Sequence, residues 1–154
     1  MAHTQSEQQR RRLLYFAHPI NTYNTPLETR LLDRFSFWFP NADIVNPNAQ
    51  KHQRRVSDIK KDDPKANVME YFKEVAKECD GVIILPFGDG KIGAGIYAEA
   101  EVISAKGGII WVVDTNPLSI HMEKALNPAL ALTVEDTRAR VYLSNISRAI
   151  RPYE

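Results

Sequence analysis

The chain has a single cysteine, Cys79, in 154 residues. One thiol makes no intramolecular disulfide and no thiol-rich zinc site, so the fold has to be held by its core. Histidine is scarce too. His3, His18, His52 and His121 stand far apart, without the spacing of a metal-ligand set. No apolar run approaches the ~18–20 residues that a membrane helix needs. The opening MAHTQSEQQRRR lacks the apolar centre of a signal peptide. The expectation is a cytosolic protein with no membrane partner. An excess of charge is missing as well: 20 basic and 19 acidic side chains leave +1. That argues against a nucleic-acid partner, or a site gathering acidic substrates by bulk charge. There are no internal repeats and no low-complexity tracts.

What is present is an ordinary globular composition, 44% hydrophobic and 25% charged, in a length suited to one domain with a real core. Residues 1–12 read as a flexible tail, in which Arg10–Arg12 is solvated rather than phosphate-binding. Residues 13–154 read as a single domain. Leu13–Ala17 is a buried strand ending at His18-Pro19. Thr25, Pro26 and Glu28 form a helix start: an N-cap, a proline at the first helical position and a capping box. Leu27, Leu31, Phe35 and Trp38 fall on one face of that helix. Asp43–Val45 is a short second strand. Residues 46–66 are polar and mixed in charge, either a lid with some helical turn or a mobile connector. Val68, Phe72, Val75, Ala76 and Cys79 mark an amphipathic helix. Asp114–Pro128 is loop-like, and Val134–Ile150 is a terminal helix capped by Thr133.

Residues 81–113 carry the chemistry. The apolar run Gly81–Leu85 leads into the glycine-rich loop Pro86–Gly95, then a helix with Glu99 and Glu101, then the apolar run Ile109–Val113. Strand, loop, helix and strand make a βαβ unit, with ligands expected at the carboxyl edge of the sheet. The fold expected is α/β, a three-layer sandwich with a mostly parallel sheet of four or five strands, flavodoxin- or Rossmann-like. Gly88-Asp89-Gly90-Lys91-Ile92-Gly93 matches G-x-G-x-x-G, and Asp114 lies 21 residues beyond Gly93. A dinucleotide site would use these residues. Against it, Pro86 and Phe87 separate the strand from the first glycine, the unit starts past mid-chain, and Glu99 would repel a pyrophosphate.

Glu99 suits another chemistry. A carboxylate one turn into a helix meets the positive end of the macrodipole and stays ionised. Such a group attacks a sugar carbon and forms a covalent glycosyl intermediate through an oxocarbenium-like transition state. Gly93 and Gly95 let the sugar approach the backbone. Asp89 is placed to hold or protonate the leaving base.

The segment Gly93-Ala94-Gly95-Ile96-Tyr97-Ala98-Glu99, continuing to Ala105-Lys106-Gly107, resembles the signature of the nucleoside 2-deoxyribosyltransferase superfamily, which includes the deoxynucleoside 5′-monophosphate N-glycosidases. Leu14-Tyr15-Phe16-Ala17-His18-Pro19-Ile20 resembles its first strand and nucleoside-binding turn. Cys79-Asp80-Gly81-Val82-Ile83-Ile84 resembles the strand before its catalytic loop. Together these cover most of residues 13–113. A further pattern, Pro86 to Gly95 and then Glu99, is similar to the phosphoribohydrolases that release cytokinin bases, and it marks the same Glu and the same bond. The resemblance implies a flavodoxin-like fold and release or exchange of a base at C1′ of a nucleoside or nucleotide. It also implies a homo-oligomer, with Asn127 the candidate contributor from a neighbouring subunit. It departs from the family at His18, where a small residue is common, at Glu101, where glycine is common, and in a longer Asp89-to-Glu99 spacing.

On this reading the catalytic pair is Glu99, the nucleophile, and Asp89, which positions the substrate and its leaving base. Tyr15, His18, Gly93, Gly95 and Asn127 bind substrate, and no metal or organic cofactor takes part. Tyr15 is core or an orienter of Glu99. Glu101, about 200° round the helix, is surface. Arg54 and Arg55 are candidates to clamp a 5′-phosphate, which would favour 5′-monophosphates over nucleosides. The competing class is a non-catalytic nucleotide-binding or sensing domain, or a dinucleotide binder.

Overall fold

A computed structural model describes residues 11–142. Strand β1 (Arg12–Ala17) alternates its side chains between two faces. Tyr15 and Ala17 enter one core cluster, and Leu14 and Phe16 enter the other. Strand β3 (Gly81–Ile84) does the same with Val82 and Ile84 against Ile83. Two buried faces need two covering layers. Helix α1 (Pro26–Trp38) covers one through Leu27, Leu31 and Phe35. Helices α3 (Met69–Lys77) and α4 (Ala94–Ala105) cover the other through Ala76, Ile96, Ala100 and Ile103. The result is the expected three-layer α/β sandwich.

The five-stranded sheet has the order β2-β1-β3-β4-β5. β2 (Ala42–Val45), β1, β3 and β4 (Ile109–Thr115) run parallel, and β5 (Leu118–Glu123) is antiparallel to β4. This is the flavodoxin-like order, which reverses direction between β1 and β3. Gly81 sits where β1, β3 and β4 meet: a Cβ there would lie 2.9 Å from the Leu14 side chain and 3.0 Å from the Ile109 carbonyl oxygen.

Several expectations change on contact with the structure. Residues 46–66 are not a loose connector and hold more than a helical turn. Gln50–Asp62 is a 13-residue helix, α2, holding a narrow inward stripe of His52, Val56 and Ile59. Within Asp114–Pro128, the turn at the cis Asn116–Pro117 bond leads into strand β5, where Leu118, Ile120 and Met122 alternate with polar residues. Arg12 belongs to β1, and Arg11, exposed to solvent, is tethered by its Nε, 2.7 Å from Asp43 Oδ1. Residues 1–10, the rest of the expected tail, lie outside the described residues. Thr25 does cap α1, accepting from the Glu28 N–H at 3.4 Å. The Glu28 carboxylate, however, turns away from the capping box and accepts from His18, Asn48 and the Asn24 N–H. Helix α5 (Val134–Tyr142) is capped as expected, with Thr133 Oγ1 accepting from the Asp136 N–H at 3.0 Å. Residues 143–150 of that expected helix lie outside the described residues. No helix among the described residues is long and apolar enough to cross a membrane.

Candidate active site

A cavity of about 230 Å³ opens where the strand order reverses. Its floor comes from the ends of β1 and β3, through His18, Pro19, Ile20, Tyr23 and Phe87. One wall is α4 with the loop before it (Gly93, Gly95, Ile96, Glu99), and another is the start of α3 with Phe72. Thr137 and Val141 of α5 close the last side. This is the crevice in which doubly wound sheets bind ligands.

Helix α4 is apolar almost throughout, and Glu99 lies on its inward face, between Ile96 one turn before and Ile103 one turn after. The carboxyl group is therefore carried into the core, only 7% exposed, while Glu101 points to solvent. Glu99 Oε2 accepts from the hydroxyl of Tyr15, which is fully buried on β1. Burial pushes the Glu99 carboxyl up to about 7, against the downward pull of the Tyr15 bond. The expected helix-dipole control of Glu99 gives way to desolvation, because the dipole effect fades beyond the first turn and Glu99 is the sixth helical residue. Tyr15 is at once core and orienter. It is not among the residues lining the cavity, so its link to a ligand runs through Glu99.

His18 lines the cavity with its ring stacked on Phe16, centroids 3.7 Å apart. Nδ1 faces the Phe16 carbonyl oxygen at 2.9 Å, and Nε2 faces Glu28 Oε2 at 2.7 Å. A backbone carbonyl on one side and a carboxylate on the other hold the ring in place. Burial pushes the Glu28 carboxyl up, but the bonds from His18, the Asn24 N–H and Asn48 outweigh it and leave the group below its ordinary value. Both nitrogens are committed, so His18 offers the cavity a ring rather than a free donor. Tyr23 packs on that ring at 4.7 Å. Burial, then the charges of Glu99 and Glu28, hold the Tyr23 phenol well above its ordinary range.

Gly93 and Gly95 line the cavity as expected. A Cβ on Gly95 would stand 3.5 Å from Met69 Sδ, narrowing the gap between α4 and α3. Asp89 is placed elsewhere. Both of its oxygens accept from Arg140, at 2.7 and 2.8 Å, and it is not a lining residue. The Arg140 bond, against a smaller effect of burial, holds Asp89 below the usual carboxylate range, so it is a poor proton donor. Asn127 is exposed and caps a 3-10 turn over Pro128–Leu130 through the Ala129 N–H, away from the cavity of its own chain. Arg54 and Arg55 are exposed on α2 and outside the lining. Asp114, the dinucleotide reading's ribose acid, accepts from His121 at 2.9 Å and is not a lining residue.

The sequence reading missed Tyr23, Glu28, Phe72, Thr137 and Val141. Tyr23 follows the end of β1 by a few residues, and that position alone made it a candidate. Nothing local marked Thr137 and Val141, which reach the site by tertiary packing from the far end of the chain. Among the described residues, no three His, Cys, Asp or Glu side chains are grouped to hold a metal ion. Comparison with protein-family models, with curated proteins and with solved structures finds no match to this chain.

Proposed function

We propose that this protein breaks the N-glycosidic bond of a nucleoside through a covalent glycosyl ester on Glu99. The supporting observation is a lone carboxyl group, desolvated and bonded on one oxygen by Tyr15, at the wall of an otherwise mostly apolar crevice at the strand-order reversal. Tyr15 fixes the rotamer of Glu99, leaving Oε1 to attack C1′. The C1′–N bond breaks and its electron pair goes to the base. Water or a second base then takes the glycosyl group, and Glu99 leaves as a carboxylate. The negative charge of Glu99 is worth most in the oxocarbenium-like transition state, in a pocket with little water to screen it.

A second reading, a nucleotide-sensing pocket without turnover, draws on the tie between Asp89 and Arg140, which removes the expected acid from the base. Incubation with a panel of nucleosides and 5′-monophosphates, followed by chromatography for free base, separates the two. The enzyme reading expects free base, and at least a hundredfold loss of turnover in Glu99→Gln. Undiminished turnover in that variant removes Glu99 as nucleophile.

A further inference from the structure

Two features of the crevice are not used by a reaction on ordinary nucleosides. The first concerns protons. When a neutral base departs, the electron pair it takes from C1′ has to be met by a proton. Glu99 is the only carboxyl group in the described lining, and it is the proposed nucleophile. Asp89 is held by both guanidinium nitrogens of Arg140. Both ring nitrogens of His18 are committed to Phe16 and Glu28. Tyr23 keeps its hydroxyl proton more tightly than an ordinary phenol.

The second concerns charge. The described lining contains no Lys or Arg. Arg140 sits 5.2 Å over the Phe87 ring, but its charge is matched by Asp89. The first N–H of α4, a natural phosphate ligand, is already taken by Thr137 Oγ1 at 2.9 Å. Arg54 and Arg55 lie outside. His18 turns its Nε2 to Glu28 rather than to the cavity. What is left unbalanced in the described lining is Glu99, which shares it with the aromatic side chains of Tyr23, Phe72 and Phe87. A carboxylate in apolar surroundings attracts a cation far more strongly than it would in water, and aromatic rings add to that attraction. The same site disfavours a phosphate.

We infer that the pocket takes an N-glycoside whose glycosidic ring nitrogen already carries positive charge, a pyridinium or N-alkylpurinium nucleoside with a free 5′-hydroxyl. This rests on the glycosidic reading above and deepens it. The step balances without an acid. Glu99 forms its bond to C1′, the C1′–N pair neutralises the ring nitrogen, and the base leaves uncharged. Water then attacks C1′, Glu99 departs as carboxylate, and one proton passes to solvent.

The test compares N7-methylguanosine with guanosine, and nicotinamide riboside with uridine, each as the nucleoside and as its 5′-monophosphate. The full chain and Glu99→Gln are run side by side. Free base is measured by chromatography and binding by calorimetry. The Glu99-dependent kcat/KM is expected to be at least a hundredfold higher for each cation than for its neutral counterpart, and to fall at least tenfold on 5′-phosphorylation. Neutral nucleosides cleaved as well as the cations, or monophosphates preferred, would overturn the inference and leave the glycosidic reading standing. If no base is released but the cations bind at least tenfold tighter than neutral nucleosides, and Glu99→Gln abolishes the difference, the glycosidic reading fails and cation selectivity stands. If no base is released and that binding difference is missing, both fail.

Discussion

Replacing Glu99 by Gln should make the protein more stable, by an amount that depends on pH. The Glu99 carboxyl rises from an ordinary 4.5 to about 7 in the fold, chiefly through burial. Its folded value exceeds its unfolded value, so the protonated form is the one the fold accepts. Below about pH 4.5 the group is protonated in both states and costs nothing by ionisation. As pH rises toward about 7 the unfolded chain sheds the proton and the folded chain keeps it, so wild-type stability falls with pH. Above about 7 the loss is complete. At 1.36 kcal/mol for each pH unit it amounts to about 3 kcal/mol. Glutamine keeps the shape and an oxygen to accept from Tyr15, and it does not titrate. Urea unfolding of both proteins at pH 5, 6, 7 and 8 should show the Gln variant gaining on wild type at each step. The gain from the acid limit to pH 8 should be about 3 kcal/mol, or roughly 6–12 °C in Tm for a chain of this size. The other carboxyl groups are shared by the two proteins and cancel. A stability difference that does not change between pH 5 and pH 8 would refute the reasoning, and so would one that shrinks as pH rises.

Two further outcomes follow from the site. For base release, the active form of a nucleophilic Glu99 is the ionised one, so kcat/KM should rise with pH through about 7. Tyr15→Phe removes the bond that pulls Glu99 down, and the rising limb should move upward by about one to two pH units, the value of a hydrogen bond to a charged group. A limb that falls with pH would make Glu99 an acid rather than a nucleophile. Asp89→Asn should change kcat by less than about threefold and cost about 1 kcal/mol, the loss of a partly exposed ion pair. A loss of a hundredfold or more in steady-state kcat would restore Asp89 as the proton donor.

The parts legible in the sequence were those written in local pattern. The unbroken apolar run Leu13–Ala17, the Thr25-Pro26 start and the inward stripe of α1 each state their own structure, and with the βαβ pattern of residues 81–113 they point to a doubly wound sheet. Glu99 was legible because an acid on the core face of an almost wholly apolar helix has no packing reason to be there. The ionisation of Glu99 was not legible, because it depends on how much water the whole assembly leaves round one carboxyl group. The engagement of Asp89 was hidden for a related reason. Its partner Arg140 is 51 residues away, and no local rule pairs a turn aspartate with a helix arginine across that distance. Helix α2 was hidden by its charge: a helix that buries only His52, with Val56 and Ile59 half-buried beside it, looks in sequence like a solvated connector.

Helix α5 gives the order in which the molecule is made a bearing on its chemistry. The ribosome delivers the sheet, helices α1 to α4 and Glu99 first. The segment that bridges Ile92 through Leu130 and Leu132, and then α5 with Thr137, Arg140 and Val141, comes later. Until that last stretch docks, the crevice lacks a wall, the first N–H of α4 is uncapped and Asp89 has no arginine. A nascent or C-terminally clipped chain would therefore hold Glu99 in a wetter setting, where the carboxyl group drifts back toward ordinary acidity. The final described helix thus acts as the assembly step at which a folded sheet becomes a finished site.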